Sequence, residues 1–453
     1  MSQIENQKIF EDMPISKAAQ KLMVPTMLSS LVMVVYSLAD TYFVGMLNAP
    51  EQNAAVTLAA PVMLAFNAVN NLFGVGCSSM MSRGLGSKDF DVVKKSAAFG
   101  FYCALFGGLL ISLLCGLFQF PLLGLLGADA GTMGATAAYM KWTVICGAAP
   151  SILNVVMAYF VRSEGAAFHA SIGTMSGCIL NIILDPIFIM PWGLGMGAAG
   201  AGLATFLSNC SACCYFFVLL YRKRSRTFIS LNPKDFTLEK KIVQGVCAVG
   251  IPASIQNLLN VTGMTILNNL MAGYGTEAVA AIGIAQKIYM IPMQIALGGT
   301  QGVMPLVGYS YSSGNYRRMD GTIRFVRRLM IPCLAVVAVS GWIFAPGLIG
   351  IFIRNQEIIR YGAVFLRAFC FAISFLVLDF LGVGVFQSVG KGKISLMFAI
   401  FRKIVFEIPA TIILNVLFGI NGIAYGAFVS EFMMACISTV VLTRMMKKLM
   451  KSC

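Results

Sequence analysis

Apolar stretches of roughly 20 residues, long enough to cross a bilayer core as a helix, recur about twelve times along this 453-residue chain. Inside lipid a spanning segment has to satisfy its own backbone hydrogen bonds, so such stretches read as helices. Only 11% of the residues are charged and 58% are hydrophobic, whereas a soluble domain carries about 25% charged residues. The fold class is therefore an all-α membrane protein. Spans are expected at 15–45, 53–82, 93–119, 134–162, 168–190, 197–221, 243–272, 278–308, 323–349, 360–388, 393–418 and 422–446. Turn signals such as Leu47-Asn48-Ala49-Pro50, Gly84-Leu85-Gly86-Ser87 and Ser312-Ser313-Gly314-Asn315 separate them. The stretch from Met1 to Gln20 is polar and mixed in charge, with no cleavable signal ahead of the first span, which leaves the N-terminus in the cytoplasm.

The net charge of +15 invites a nucleic-acid reading until its placement is read. Lys and Arg gather at Arg83–Lys95, Arg222–Lys241, Arg317–Arg328, Lys391–Lys403 and Arg444–Lys451, in alternate loops and at the termini. The opposite loops hold only Lys141, Arg354, Arg360 and Arg367. This is the positive-inside pattern, and it puts both termini of a multi-pass membrane protein on the cytoplasmic side. The charge follows topology, so no nucleic-acid partner is expected. Thirteen cysteines lie mostly within apolar spans, where free Cys behaves as a small hydrophobe. Cys210-Ser-Ala-Cys213 has redox or zinc spacing but no partner pair.

The halves of the chain repeat. Val24-Pro25 recurs as Ile251-Pro252, and Asn53–Pro61 resembles Val279–Lys287 at almost the same separation. Val161-Arg-Ser-Glu-Gly165 matches Phe386-Gln-Ser-Val-Gly390 at nearly that separation again. Six crossings return a chain to its starting side, so the repeats share one orientation. They predict two six-helix lobes related by a pseudo-two-fold axis along the membrane normal, with a cavity between them and alternating access by rocking. The expected boundaries are a cytoplasmic N-terminus over 1–14, an N-lobe over 15–221, a solvated linker over 222–242, a C-lobe over 243–446 and a cytoplasmic C-terminus over 447–453.

Several functions lack their parts. A phosphate-binding loop ends in Gly-Lys followed by Ser or Thr, and the nearest run, Gly384 to Lys391, has one residue too many and is followed by Gly392. The single histidine, His169, cannot assemble a multi-histidine zinc site and is expected to be solvated or to pack against a loop near Glu164. No nucleophile–base set supports an enzyme, and no cofactor is expected beyond a coupling ion.

The informative residues are acids inside the spans: Asp40, Asp185, Asp379, Glu407 and Glu431. An ionised carboxylate near the bilayer centre costs at least about 2.5–3.5 kcal/mol, so such acids mark ion or substrate pathways. Asp185 follows Asn181 by four residues, on the same helix face, and Pro186 is expected to loosen the backbone beside it. A desolvated carboxylate near a second acid takes up a proton or a hard cation such as sodium, and a cationic substrate competing for that charge makes an antiporter. Tyr139 and Asn181 are placed to supply hydrogen bonds. Lys287, alone in the eighth span, either snorkels outward or pairs with an acid. The 28 Met and 33 Phe suit a soft aromatic pocket for varied flat cations, though most of them face lipid or pack helices.

Together Pro25, Asp40-Thr41-Tyr42-Phe43-Val44-Gly45, Gly84-Leu-Gly86 and Asn181-Ile-Ile-Leu-Asp185-Pro186 resemble the multidrug and toxic compound extrusion (MATE) family over residues 15–446. The resemblance is closest to its bacterial DinF/MepA-like branch. It implies export of cationic dyes and drugs driven by protons or sodium. It also implies an N-lobe cation site at Asp40, Asn181 and Asp185, which would hold the metal ion if sodium is used, with Tyr139 and Thr205 in matching places. The NorM-type branch uses acids in its seventh and tenth helices. Here Asp379 holds the tenth-helix place, but the seventh-helix place is Gln256, which cannot titrate, so the resemblance favours the N-lobe. One chain of two lobes suffices as a monomer. The rival expectation is a lipid-linked saccharide flippase of the same superfamily, which would line its cavity with cations.

Overall fold

The computed structural model describes residues 8–47 and 49–451, and its described residues form helices without strands. Twelve long helices follow one another: α1 (Ile15–Met46), α2 (Pro50–Gly86), α3 (Phe90–Leu117), α4 (Met133–Cys146 with Ala148–Ser163), α5 (Ala167–Ile189) and α6 (Ala198–Arg222). The second six are α7 (Lys240–Ala272), α8 (Thr276–Ser312), α9 (Tyr316–Ile343), α10 (Gln356–Ser388), α11 (Gly392–Ile400, Phe401–Glu407 and Ile408–Phe418) and α12 (Ile420–Lys451). Ten of them are long and apolar enough to span a membrane, and α4 makes eleven as a span bent by 47°. The bend sits at Gly147, where a Cβ would meet the Trp142 and Thr143 carbonyl oxygens at 2.5 Å. The remaining helix, α11, carries Arg402, Lys403 and Glu407 within its π-helical segment. That local charge is what sets it apart.

The chain divides into two compact units, and besides a cut after Asp12 the two other cuts fall inside helices. Residues up to Asp12 group with Leu28–Ser254, and Met13–Met27 group with Ile255 onward. The two cuts lie just past Pro25 in α1 and just past Pro252 in α7, at the offset that relates Val24-Pro25 to Ile251-Pro252 in the sequence repeat. The compact units thus part within α1 and α7, whereas the expected lobe boundary lies at 222–242. The physical reason is glycine packing. In the second unit a Cβ at Gly302 of α8 would lie 2.8 Å from the Leu22 carbonyl oxygen and 2.9 Å from Met23 Cα. In the first unit one at Gly76 of α2, the counterpart of Gly302 in the repeat, would lie 2.6 Å from the Val246 carbonyl oxygen. Small residues let membrane helices meet backbone to backbone, where dispersion contacts are densest.

The segment after α6 is not simply a solvated linker. Phe228 stacks on Phe90 with ring centroids 4.2 Å apart, Tyr102 donates to the Leu231 carbonyl at 2.7 Å, and Ile229 is buried. Asp89, which caps α3 by accepting from the Val92 N–H, pairs with Lys241 at 3.1 Å. Glu164, at the turn between α4 and α5, takes three hydrogen bonds from the same segment: Thr227 Oγ1 at 2.7 Å, Phe228 N at 2.6 Å and Ile229 N at 3.1 Å. His169 packs near this region, with its Nδ1 3.2 Å from the Tyr215 hydroxyl.

Burial pushes the Glu164 carboxyl up to about 7, against the lowering effect of those hydrogen bonds. The fold therefore holds a proton there that the unfolded chain releases from about pH 4.5 upward, and stability falls as pH rises from that value to about 7. Melting curves of wild type and Glu164→Gln between pH 5 and 8 check this. The advantage of wild type over the variant is expected to shrink steadily with rising pH, and a constant difference would contradict it.

Candidate cation-coupling site

Helix α5 sets the geometry of the first unit's polar locus. Gly173, Gly177, Asn181 and Asp185 recur at four-residue steps and so share one helix face. The two glycines hold nothing between α5 and α6. A Cβ at Gly173 would collide with the Phe216 ring, and one at Gly177 would sit 3.2 Å from the Ser208 carbonyl oxygen. One turn further along the same face, that close approach brings Asn181 to α6. Its amide NH2 donates to Asp185 Oδ2 at 2.8 Å, and its oxygen accepts from Thr205 N at 3.0 Å and Thr205 Oγ1 at 3.3 Å. Only this orientation of the amide gives each donor an acceptor. Asn181 and Asp185 are 1% and 0% exposed. The helix runs on through Pro186 to Ile189, so the proline does not break it. It does withhold the N–H that would bond to the carbonyl four residues back.

Two further helices complete the locus. Tyr139 is buried on the first limb of α4, and a Cβ at Gly202 of α6 would lie 2.9 Å from its carbonyl oxygen. From α1 come Asp40 and, four residues earlier, Tyr36, both half-buried. The Tyr36 phenol bonds to the Thr205 side chain, and both tyrosines feel the charges of Asp40 and Asp185. Asp185 also feels the charge of Asp40. The structure therefore assembles Asp40, Tyr139, Asn181, Asp185 and Thr205 in one place, and adds Tyr36. The sequence did hold a signal for Tyr36, since Tyr36/Asp40 has the same four-residue spacing as Asn181/Asp185. Two carboxylates with an amide and hydroxyls form an oxygen-rich set that suits a proton or a hard cation.

The second unit treats its acids differently. Asp379 is 1% exposed and accepts from Arg402 Nη1 at 2.8 Å, while Arg402 Nη2 donates to Asn260 Oδ1 at 2.5 Å. Arg402 is itself buried. Its place among the basic residues of Lys391–Lys403 suggested a loop charge, but it lies inside α11. Gln256 does not join Asp379. Its amide accepts from Gln387 Nε2 at 3.2 Å and donates to the Ser395 carbonyl at 3.5 Å. Glu407 pairs with Lys403 at 2.6 Å, one turn away on the same helix. Lys287 is exposed and makes no ion pair among the described residues.

A duplicated bundle of membrane helices, with polar groups buried inside one repeat, is a transporter architecture. The MatE family model matches the chain twice, over residues 25–187 and 252–413. Two relatives carry the name "Multidrug export protein MepA". The one from Staphylococcus aureus (strain MRSA252) is 31% identical over 427 residues, covering 94% of this chain and 93% of that protein. The one from Staphylococcus saprophyticus is 32% identical over 423 residues, covering 93% and 92%. A structure described as the outward-facing conformation of a multidrug resistance MATE family transporter of the MOP superfamily matches with a TM-score of 0.92. It is 26% identical and covers 98% of both chains. This chain belongs to the MatE family, and its twelve helices form the family's two repeated six-helix halves.

Asn181→Leu keeps the side chain's bulk but leaves buried Asp185 and the Thr205 N–H without their shared partner. An unpaired buried polar group costs about 1–3 kcal/mol. Thermal melts in detergent are expected to show a lowered midpoint for Asn181→Leu and a smaller change for Thr205→Val, which keeps the backbone donor. Equal melts for wild type and Asn181→Leu would contradict the hydrogen-bonded arrangement.

Proposed function

We propose that the protein is a secondary active exporter of cationic and amphipathic organic compounds in a bacterial cytoplasmic membrane, exchanging them for protons or sodium. The observation that carries this reading is the pair Asp40 and Asp185, in which Asp185 feels the charge of Asp40, is fully buried and is hydrogen-bonded to Asn181. The low dielectric around them strengthens any ionic contact they make and leaves a bare negative pair costly. The site is therefore most stable with one bound positive charge, whether a coupling ion or the cationic end of a substrate. Exclusive occupancy by one or the other is all that antiport requires, provided that access alternates between the two sides. Rocking of two repeated halves supplies that alternation in transporters built from parallel repeats.

Each residue has a role in this scheme. Asp40 and Asp185 carry the exchanged charge. Asn181 holds the Asp185 carboxylate in one rotamer by its donated hydrogen bond, and Thr205 fixes Asn181 from α6. Tyr36 and Tyr139 line the site with phenols that donate to a carboxylate and present ring faces to a cation. If sodium is the ion, Asp40, Asn181 and Asp185 are its ligands. The names of the staphylococcal relatives support drugs as substrates. No cofactor, catalytic step or nucleic-acid partner enters the scheme, and one chain holds both halves.

Efflux of ethidium from proteoliposomes, under a proton gradient and a sodium gradient imposed separately, tests the proposal. Efflux is expected under one of the two and should fall to the protein-free background in Asp40→Asn and in Asp185→Asn at unchanged protein content. Gln256→Ala is expected to retain most of the rate. Gradient-driven efflux that survives both aspartate substitutions would overturn the site assignment, and no efflux under either gradient would overturn the function.

A further inference from the structure

The first unit's acid pair has a place in the second unit that the repeat identifies. At the offset that relates Pro25 to Pro252, Tyr36 and Asp40 correspond to Gly263 and Leu267. At the offset that relates Asn53 to Val279, shorter by one, Asn181 and Asp185 correspond to Glu407 and Thr411. The loop that follows is four residues shorter in the second half, where Gly419 (φ 60°, ψ -144°) opens α12 as Gly197 (φ 57°, ψ -135°) opens α6. Thr205, eight residues past its glycine, therefore corresponds to Ala427. Gly263, Leu267, Glu407 and Thr411 do converge, since all four line one cavity within the second unit. Ala427, one turn before Glu431 on α12, lines it too. The place is kept while the acids have moved: Leu267 and Thr411 stand for the two aspartates, Glu407 for Asn181 and Ala427 for Thr205, and Glu431 lies one turn beyond Ala427.

Glu431 is the unusual member. It is 5% exposed, Arg402 Nη1 is 3.9 Å from its Oε1, and its Oε2 is buried without a hydrogen-bond partner. The groups facing it are Asp379 from α10, Arg402, Lys403 and Glu407 from α11, and the Tyr289 phenol from α8. Lys403 and Glu407 neutralise each other at 2.6 Å. Arg402 is taken by Asp379 at 2.8 Å and by Asn260 at 2.5 Å, and its third side rests on the Phe380 ring at 5.6 Å. One guanidinium thus stands against two buried carboxylates, and one negative charge is left over. Asp379 Oδ1 is also buried without a partner. An uncompensated charge in such surroundings costs several kcal/mol, far more than a carboxyl group needs to take up a proton.

We propose that the second unit contains its own proton-binding site, in which Glu431, beside the Arg402–Asp379 pair, holds one exchangeable proton. The proton sits on a Glu431 oxygen, one turn from Ala427 at the cavity wall, and is exchanged with bulk water. Arg402 decides the count. It neutralises one acid permanently, so the site exchanges one charge rather than two. This site is separate from Asp40 and Asp185, and its detection needs no transport.

Infrared difference spectroscopy of the purified protein, between neutral and alkaline pH, reads the carbonyl stretch of a carboxyl group still protonated at neutral pH, since ordinary surface carboxyls are ionised at both. The background is Asp40→Asn/Asp185→Asn, which removes the first unit's acids. A protonated-carboxyl band is expected in that background at neutral pH. Glu431→Gln should remove it by deleting the acid. Asp379→Asn should also remove it, because Arg402 is then free to balance Glu431 and the proton is no longer needed. Loss in both variants separates charge counting from a local disturbance at one position. A band unchanged by Glu431→Gln would overturn the proposal, as would no band in the background. A band that sodium or potassium abolishes at constant pH would replace the proton by a metal cation and overturn it as well. Circular dichroism and monodisperse elution qualify each variant, and Glu431→Asp, expected to keep the band, replaces any that misfolds.

Discussion

A carboxylate buried among apolar helices is too costly to remain bare, and the organisation of this molecule follows from how each one is compensated. Every buried acid has to find a donor, a cation or a proton. In the first unit the answer is neutral: Asn181 donates to Asp185, and Thr205 and the phenols of Tyr36 and Tyr139 stand around it. Neutral donors steady a carboxylate without cancelling its charge, so the cancelling charge has to come from outside. In the second unit the answer is built in, with Arg402 on Asp379 and Lys403 on Glu407. A permanent cation leaves less for an external ion to do.

That contrast is set on one scaffold used twice. The near-constant repeat offset read from the sequence recurs in the two cuts through α1 and α7, in Gly76 and Gly302 and in the double family match. Backbone packing is thus shared between the halves while the polar residues are not. The glycines that let helices meet are constrained by geometry in both halves. The acids are free to differ because their compensation is local to each unit.

What could be read from the sequence and what could not divides along the same line. Short-range features were legible. Four-residue spacing put Asn181 and Asp185 on one face, and uncharged runs marked out the twelve helices. Through-space pairing was not. Arg402 looked like one more basic residue in a positive cluster, because its partner Asp379 lies 23 residues away on another helix. Tyr36 shares a helix face with Asp40 by the same four-residue spacing, but only the fold brings Thr205 of α6 to it. The 222–242 segment looked solvated because its polar composition hides Phe228 and Ile229, which pack on α3 and Glu164. The unit boundary fell inside helices because backbone approach at glycine leaves no mark in hydropathy.

The central claim is that substrate and coupling ion compete for the charge of Asp40 and Asp185. Calorimetric titration of the purified protein with ethidium, repeated across pH and sodium concentration and in buffers of different ionisation enthalpy, counts the ions released when the dye binds. The account predicts that binding weakens as one of the two ions is raised, that this ion is released on binding, and that Asp185→Asn abolishes the release. Dye affinity independent of both pH and sodium, with no ion released, would contradict it.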